Sequence, residues 1–144
     1  MTDTSNPIIV EQLFNASVNE VWKAITELQQ MKQWFFENIP SFEPVVGFQT
    51  KFKVQSETGI FTHLWKIVEV QPLRKISYDW SYAEYPGKGL VSFTLFEKTE
   101  ATTLLRISNE GLDTFPQEIP EFARESCRSG WEYFIQKNLK DYLS

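Results

Sequence analysis

Residues 8–25 read IIVEQLFNASVNEVWKAI, and within them the hydrophobic period changes from two to about 3.6 residues. In the first half, Ile8, Val10 and Phe14 lie on one face by alternation, which is typical of a strand. Ser17 and Glu20 then have the spacing of a capping box and precede apolar residues at helical spacing. The sequence therefore predicts a strand that leads directly into a short amphipathic helix.

The residues that follow predict one more short helix and then five strands. The helix covers about residues 27–34 and ends in the aromatic cluster Trp34, Phe35 and Phe36. From Pro44 onward, turn signals separate segments with β periodicity. The predicted strands are about 46–55, 60–70, 73–82, 89–98 and 102–110. Their short connections favour an antiparallel meander.

Alternation within these strands assigns side chains to an inward face. The inward residues are Phe48, Phe52, Val54, Ile76, Tyr78, Trp80, Tyr82, Val91, Phe93, Leu95, Leu105, Ile107 and Asn109. The 60–70 strand has two competing sets: Phe61, Trp65 and Ile67 against Leu64, Val68 and Val70. A β-bulge that switches the faces would accommodate both sets.

A long helix is predicted over residues 119–143, with Pro120 near its first turn. Acidic residues at its start (Glu118, Glu121, Glu125) and lysines near its end match the helix dipole, which explains these carboxylates without a metal. Its inward stripe consists of Cys127, Trp131, Phe134, Ile135, Leu139 and Tyr142. Gly130, inside the helix, indicates a place where bulk is not tolerated, either against the sheet or beside a cavity.

This element order predicts an α+β fold in a single domain over residues 1–144, with residues 1–6 as a flexible tail. A curved antiparallel sheet of about six strands would wrap around the long C-terminal helix, with two short helices after the first strand. The aromatic residues, 12 Phe, 5 Trp and 5 Tyr, could fill a core and also line a cavity on the concave side.

The charge balance and the cysteine and histidine counts exclude several classes of function. A net charge of −5 argues against binding to nucleic acid or to an anionic membrane surface. One cysteine and one histidine, Cys127 and His63, cannot make an intramolecular disulfide or a four-ligand zinc site. No phosphate-binding glycine motif, signal peptide or apolar span occurs. We expect a cytoplasmic protein without metal, cofactor or stable membrane insertion.

Several stretches along nearly the whole chain carry a family resemblance. They are Phe14–Ser17 with Glu20–Trp22, Trp34-Phe35, Glu69–Pro72 with Lys75–Trp80, Thr103-Leu104 to Glu110–Leu112, and Gly130-Trp131 to Leu143. In their order and spacing the chain resembles the helix-grip superfamily of START-like and Bet v 1-like (SRPBCC) proteins. Within that superfamily it resembles the family named for the activator of heat-shock protein 90 ATPase.

The resemblance implies a largely apolar cavity between the sheet and the C-terminal helix. The superfamily uses such cavities for lipids, steroids, polyketides and other hydrophobic molecules, and has no fixed catalytic residues. Two positions depart from the family pattern, since Asn109 stands where histidine is frequent and Trp65 where glycine is frequent. An inward Trp65 would narrow the cavity considerably.

The candidate ligand-binding residues combine aromatic side chains with a few polar ones. They are Trp34, Phe48, Phe52, His63, Trp65, Tyr78, Trp80, Phe93, Asn109, Cys127, Trp131 and Phe134. Core packing explains the aromatic alternation equally well, and His63 could be structural or exposed. Cys127 on an apolar stripe is typical of a small hydrophobe rather than a nucleophile. No nucleophile motif is present, so no catalytic residue is assigned.

Three functions follow as hypotheses. The first is binding of a small hydrophobic or aromatic, lipid-like ligand in the cavity. The second, which the family name alone implies, is an accessory role in the stress response that stimulates the ATPase of a heat-shock protein 90 homologue. The third is a cavity enzyme with His63 as base. We expect a monomer or a homodimer.

Overall fold

The computed structural model describes residues 6–144, and its centre is one six-stranded antiparallel sheet. The strands are β1 Ile8–Phe14, β2 Gln49–Ser56, β3 Gly59–Gln71, β4 Lys75–Tyr82, β5 Tyr85–Thr99 and β6 Thr102–Glu110. Their order in the sheet is β1-β6-β5-β4-β3-β2. Strands β2 to β6 therefore form the predicted meander, and β1 adds an edge strand by pairing with β6.

Two short helices, α1 (Val18–Thr26) and α2 (Leu28–Trp34), connect β1 to β2 as predicted. The Ser17 hydroxyl accepts a hydrogen bond from the Glu20 amide at 3.2 Å. The Glu20 carboxylate accepts one from the Ser17 amide, also at 3.2 Å. This reciprocal capping box satisfies amide groups that the first helical turn leaves unpaired. The helix therefore begins where the hydrophobic period of the sequence changes.

The C-terminal helix begins later than predicted. Ala123 has an extended backbone with φ −63° and ψ 143°, so Pro120 opens a separate 3-10 turn, Pro120–Phe122, and the helix starts at Arg124. It continues as α3 (Arg124–Trp131), a π-helical segment (Glu132–Leu139) and α4 (Lys140–Tyr142). Another 3-10 turn, Leu112–Thr114, follows β6.

The predicted inward stripe of this helix is correct except at its end. Trp131, Ile135 and Leu139 are buried, but Tyr142 is 39% exposed and Leu143 packs against the core instead. A π-helical turn contains more residues than an α-helical turn. The next inward residue after Leu139 is therefore Leu143, four positions later, and not Tyr142.

A β-bulge resolves the two competing faces of β3. The register against β4 shifts between Ile67 and Glu69. Before the shift, Phe61, Trp65 and Ile67 are buried, as is His63; after it, Val70 packs against the core. The first set therefore forms the interior face, and of the second set only Val70 joins it, since Val68 is 39% exposed.

The core lies between the concave face of the sheet and the C-terminal helix, and the end of α2 inserts into it. The Phe35 ring stacks on Trp34 at a centroid distance of 4.7 Å and lies 4.9 Å from Phe134. It also lies 5.5 Å from Trp65 and 5.7 Å from Trp131. Phe35 thus joins the sheet, α2 and the C-terminal helix in one aromatic cluster.

A second, smaller cluster of Phe61, Phe115 and Phe122 lies at one end of this core. It brings the turns that precede the C-terminal helix against β3. The flexible tail predicted over residues 1–6 falls outside the described residues except for Asn6, whose carbonyl accepts a hydrogen bond from Arg124 Nη1 at 2.6 Å. No helix formed by the described residues is long and apolar enough to cross a bilayer.

Candidate functional site

A cavity of about 280 Å³ lies between the sheet and the first turns of the C-terminal helix. Its walls are mainly aromatic and come from both hydrophobic clusters. The lining residues are Phe36, Val54, Ser56, Phe61, His63, Trp80, Tyr82, Gly89, Asn109, Leu112, Phe115, Glu121, Phe122, Cys127, Gly130, Trp131 and Phe134. The cavity therefore combines a large apolar surface with a few polar groups, as small-molecule sites commonly do.

The C-terminal helix contributes one wall of the cavity, and Gly130 leaves open space at this wall. A Cβ atom built on Gly130 would have no heavy atom of another element within 4 Å. The glycine lines the cavity and does not mark a close approach to the sheet, so the second of the two alternatives drawn from the sequence is correct. A larger side chain here would project into the cavity.

His63 presents a neutral imidazole to the cavity. Its Nδ1 lies 3.1 Å from the Phe61 carbonyl oxygen, which can only accept, so we assign the proton to Nδ1 and leave Nε2 as an acceptor. Burial lowers the pKa of His63 from 6.5 to about 4. The side chain is therefore a hydrogen-bond acceptor and a weak base at neutral pH.

Tyr82 and Trp80 form a polar pair in the aromatic wall. Trp80 Nε1 donates to the Tyr82 hydroxyl oxygen at 2.8 Å. Burial raises the pKa of Tyr82 well above its ordinary value, so the phenol stays protonated. Its O–H is a donor available to the cavity, while the neighbouring His63 ring lies 4.9 Å away between centroids.

Asn109 is a polar side chain on the inward face of β6, as predicted. It is 8% exposed and lines the cavity. It lies between Ile8 of β1 and Val91 of β5 in the sheet register. Within residues 6–144 its amide forms no side-chain hydrogen bond, and neither amide atom is among the fully enclosed polar atoms that lack a partner. The amide can therefore both donate to and accept from a bound molecule.

Glu121 places a carboxylate at the edge of the cavity. Ser56 and Thr58 both donate to its Oε2, Thr58 over 2.6 Å. Its Oε1 is buried, and no described residue hydrogen-bonds it. The bonds from Ser56 and then Thr58 lower the pKa of Glu121, which keeps it ionised. Because Glu121 precedes the helix, its contacts with β2 and the turn explain it better than the helix dipole expected from the sequence.

Cys127 lines the same wall as a protonated thiol. Burial raises its pKa from 9.0 to about 11, and its Sγ lies 3.6 Å from the Glu121 carbonyl oxygen. A thiol with a raised pKa is a poor nucleophile at neutral pH. Within residues 6–144 no group of three or more His, Cys, Asp or Glu side chains has the arrangement of a metal site.

The structure divides the twelve candidate residues into two groups. Six line the cavity: His63, Trp80, Asn109, Cys127, Trp131 and Phe134. The other six pack in the main hydrophobic cluster without lining it: Trp34, Phe48, Phe52, Trp65, Tyr78 and Phe93. Periodicity identifies the face on which a side chain lies, but it does not show where along the sheet the interior is empty.

Sequence reasoning missed most of one cavity wall. Phe115, Glu121 and Phe122 come from the turns between β6 and the C-terminal helix, and Phe36 follows α2. Irregular segments carry no periodicity from which an inward face can be read. Phe115 lies in a segment with no predicted structure, where a large apolar side chain is a signal of burial, whereas Glu121 and Phe122 fall in the predicted helix but off its inward stripe.

Comparison of sequences identifies one family. Residues 15–144 match the sequence model of the family described as Activator of Hsp90 ATPase homolog 1-like protein. No curated protein matches the chain. The matched range includes every residue that lines the cavity.

Several solved structures share the fold. Protein CV1439 from Chromobacterium violaceum has a TM-score of 0.77 at 20% identity, over 96% of each chain. The Aha1 dimer from Colwellia psychrerythraea gives 0.69 at 23% identity, over 95% of each chain. DynU16, from the dynemicin biosynthetic locus, gives 0.76 at 22% identity, over 96% of this chain and 47% of its own. At these identities the likeness establishes the fold alone.

Proposed function

The chain belongs to the family of Activator of Hsp90 ATPase homolog 1-like proteins, and we propose that its cavity binds one small, predominantly aromatic molecule. The observation that carries this proposal is an aromatic-walled space that Gly130 leaves open and that Asn109, whose amide forms no side-chain hydrogen bond within residues 6–144, also lines. Apolar burial supplies most of the affinity, and the amide orients the ligand.

The cavity volume limits the size of the ligand. An apolar cavity of about 150 Å³ holds one benzene ring. A cavity of about 280 Å³ therefore accommodates two or three fused rings or a comparable short chain. A diacyl lipid is too large, so among lipid-like molecules the volume favours compact ones.

The proposal is tested by titrating the protein with a panel of bicyclic and tricyclic aromatic compounds. Trp80 and Trp131 line the cavity, so a bound compound should change the tryptophan fluorescence. It should also raise the melting temperature, because ligands that bind only the folded state stabilise it. Bound compound should in addition slow the alkylation of Cys127, the single cysteine.

Gly130→Phe is the decisive variant, because a benzyl group at this position fills much of the cavity. We expect it to abolish all three responses. Ser129→Phe is the matched control, since it adds the same group at an exposed position one residue earlier in the helix. The proposal fails if no compound of the panel binds, or if Gly130→Phe and Ser129→Phe bind equally well.

The family name also supports an accessory role toward a heat-shock protein 90 homologue. Such a role would use an exterior surface, so Gly130→Phe should leave any stimulation of the chaperone's ATPase unchanged. Co-purification and an ATPase assay with the host chaperone test this role, and a negative result in both counts against it.

A catalytic role for His63 is less well supported than a binding role. A base with a pKa of about 4 drives proton transfer weakly at neutral pH. If a bound compound is turned over, retention of that turnover in His63→Ala would remove His63 as the base.

A further inference from the structure

Glu121 is the single ionised side chain among the described residues that line the cavity. No Lys or Arg side chain in residues 6–144 contributes to its walls. The other polar groups are neutral: the imidazole of His63, the phenol of Tyr82, the amide of Asn109, the hydroxyl of Ser56 and the thiol of Cys127. A ligand therefore meets a cavity with one negative charge and no compensating positive charge.

The two oxygens of the Glu121 carboxylate have different surroundings. Oε2 accepts hydrogen bonds from Ser56 and Thr58, which fix the carboxylate against the β2–β3 turn. Oε1 is buried and receives no hydrogen bond from any described residue. The negative charge of the carboxylate is therefore not offset on this side, and a cation bound in the cavity beside Glu121 would compensate it.

We propose that the ligand is an arylalkylamine, whose protonated amino group lies beside the Glu121 carboxylate while its rings occupy the aromatic end of the cavity. This inference rests on the proposed function and specifies the class of its ligand. The amide of Asn109, which lines the same cavity and forms no side-chain hydrogen bond within residues 6–144, supplies a second polar contact for such a molecule.

The aromatic residues near Glu121 suit a cation. Phe122 follows Glu121 in the same turn, and its ring lies 5.5 Å from Phe61 and 5.0 Å from Tyr82 between centroids. All three rings line the cavity. The face of an aromatic ring attracts an ammonium group, and this attraction increases where water is excluded.

The charged groups near Glu121 do not neutralise its free oxygen. Arg124, three residues later, donates through Nη1 to the Asn6 carbonyl and through Nη2 to the Pro7 carbonyl. Glu125 is exposed and does not line the cavity. A carboxylate ligand such as a fatty acid would meet a like charge and no cation, so the cavity disfavours it.

Three probes of the same ring system and different charge test the inference: naphthylethylamine, naphthylethanol and naphthylacetate. Their affinities are compared by calorimetric titration of the wild-type protein, Glu121→Gln and Glu125→Gln near pH 7. Glu121→Gln keeps the shape of the side chain and removes its charge. Glu125→Gln removes the same charge at an exposed site outside the cavity.

We expect the amine to bind the wild-type protein at least about tenfold more tightly than the alcohol, with the acid weakest. Glu121→Gln should remove most of the amine's advantage and leave the alcohol nearly unchanged, while Glu125→Gln should keep the wild-type order. Melting temperatures of the variants without ligand show whether Glu121→Gln is folded, and Glu121→Ser serves as a second, smaller replacement.

The inference is overturned if the amine binds no better than the alcohol or the acid, or if Glu121→Gln and Glu121→Ser both keep its preference. In those cases neutral aromatic compounds from the panel can still bind, and the proposed function stands without the charge selection. If no aromatic compound of any charge binds, both proposals fall together.

Discussion

At the scale of single residues, the buried polar side chains have the most direct consequences. His63 is 6% exposed, and its imidazole stacks on Phe52 at a centroid distance of 5.0 Å. Burial holds this histidine neutral because water no longer solvates its charged form. The folded state therefore resists a protonation that the unfolded chain undergoes readily.

We predict that His63 makes stability depend on pH between about 6.5 and 4. In this window the unfolded chain binds a proton that the folded protein does not, so the free energy of unfolding falls as the pH falls. The loss should be about 2 kcal/mol between pH 7 and pH 5. Urea denaturation at several pH values, with wild type and His63→Gln, measures it.

His63→Gln removes the titrating group, so its stability should change much less over the same interval. The carboxylates of Glu69, Glu84 and Glu121, whose pKa values are lowered, titrate below this interval in both proteins. Parallel stability curves for the two proteins above pH 5 would contradict the assignment.

At the scale of elements, the contact between the first residues of β5 and the turn after β6 positions one cavity wall. Gly111 has a left-handed backbone with φ +80°, and a Cβ atom there would lie 2.5 Å from the Lys88 carbonyl oxygen. Thr114 accepts a hydrogen bond from the Lys88 amide at 2.9 Å. These contacts hold the turn that carries Leu112 and leads to Phe115.

We predict that Gly111→Ala destabilises the protein more than Gly47→Ala. Gly47 also has a positive φ, +95°, but a Cβ atom there would meet nothing within 4 Å. Gly47→Ala should cost about 1–2 kcal/mol for the backbone conformation alone. Gly111→Ala should cost at least about 1 kcal/mol more, because the neighbouring strand must move. If chemical denaturation shows that both variants lose the same free energy of unfolding, the backbone around Lys88 adjusts to the added Cβ atom without cost.

At the scale of the whole molecule, Trp65 determines how much of the interior is filled. It is 2% exposed and packs near Phe35, Phe52 and Trp80, with centroid distances of 5.5, 4.8 and 5.0 Å. Trp65 points inward and fills part of the core, but it does not line the cavity, so the expectation that it narrows the cavity stays a prediction. The open volume lies instead toward Phe61 and the turns that follow β6.

We predict that Trp65→Ala lowers the free energy of unfolding by about 3–5 kcal/mol, because it leaves an unfilled space in the core. Trp65→Phe should cost much less, about 1 kcal/mol, since it keeps an aromatic ring. It also removes the buried Nε1, which receives no partner from the described residues. Denaturation of both variants measures the difference. Similar losses in the free energy of unfolding would mean that the packing of the aromatic ring at this position does not stabilise the core.

Local patterns in the sequence were sufficient to predict the helices and strands and which face of each is buried. The capping box at Ser17, the alternation along β4 and β5, and the stripe through Trp131 each depend on neighbouring residues, so spacing alone reveals them. The family resemblance added the arrangement of the sheet around the helix, which the element order favours and the structure confirms.

The position of the cavity and its charge depended on contacts between residues far apart in the chain. Glu121 meets Ser56 across 65 residues, and Phe122 meets Phe61 only after the turns fold against β3. The same aromatic alternation can pack solid, as around Trp65, or enclose space, as beside Gly130. Periodicity records which face is apolar, whereas empty volume depends on how side chains from distant elements fit together.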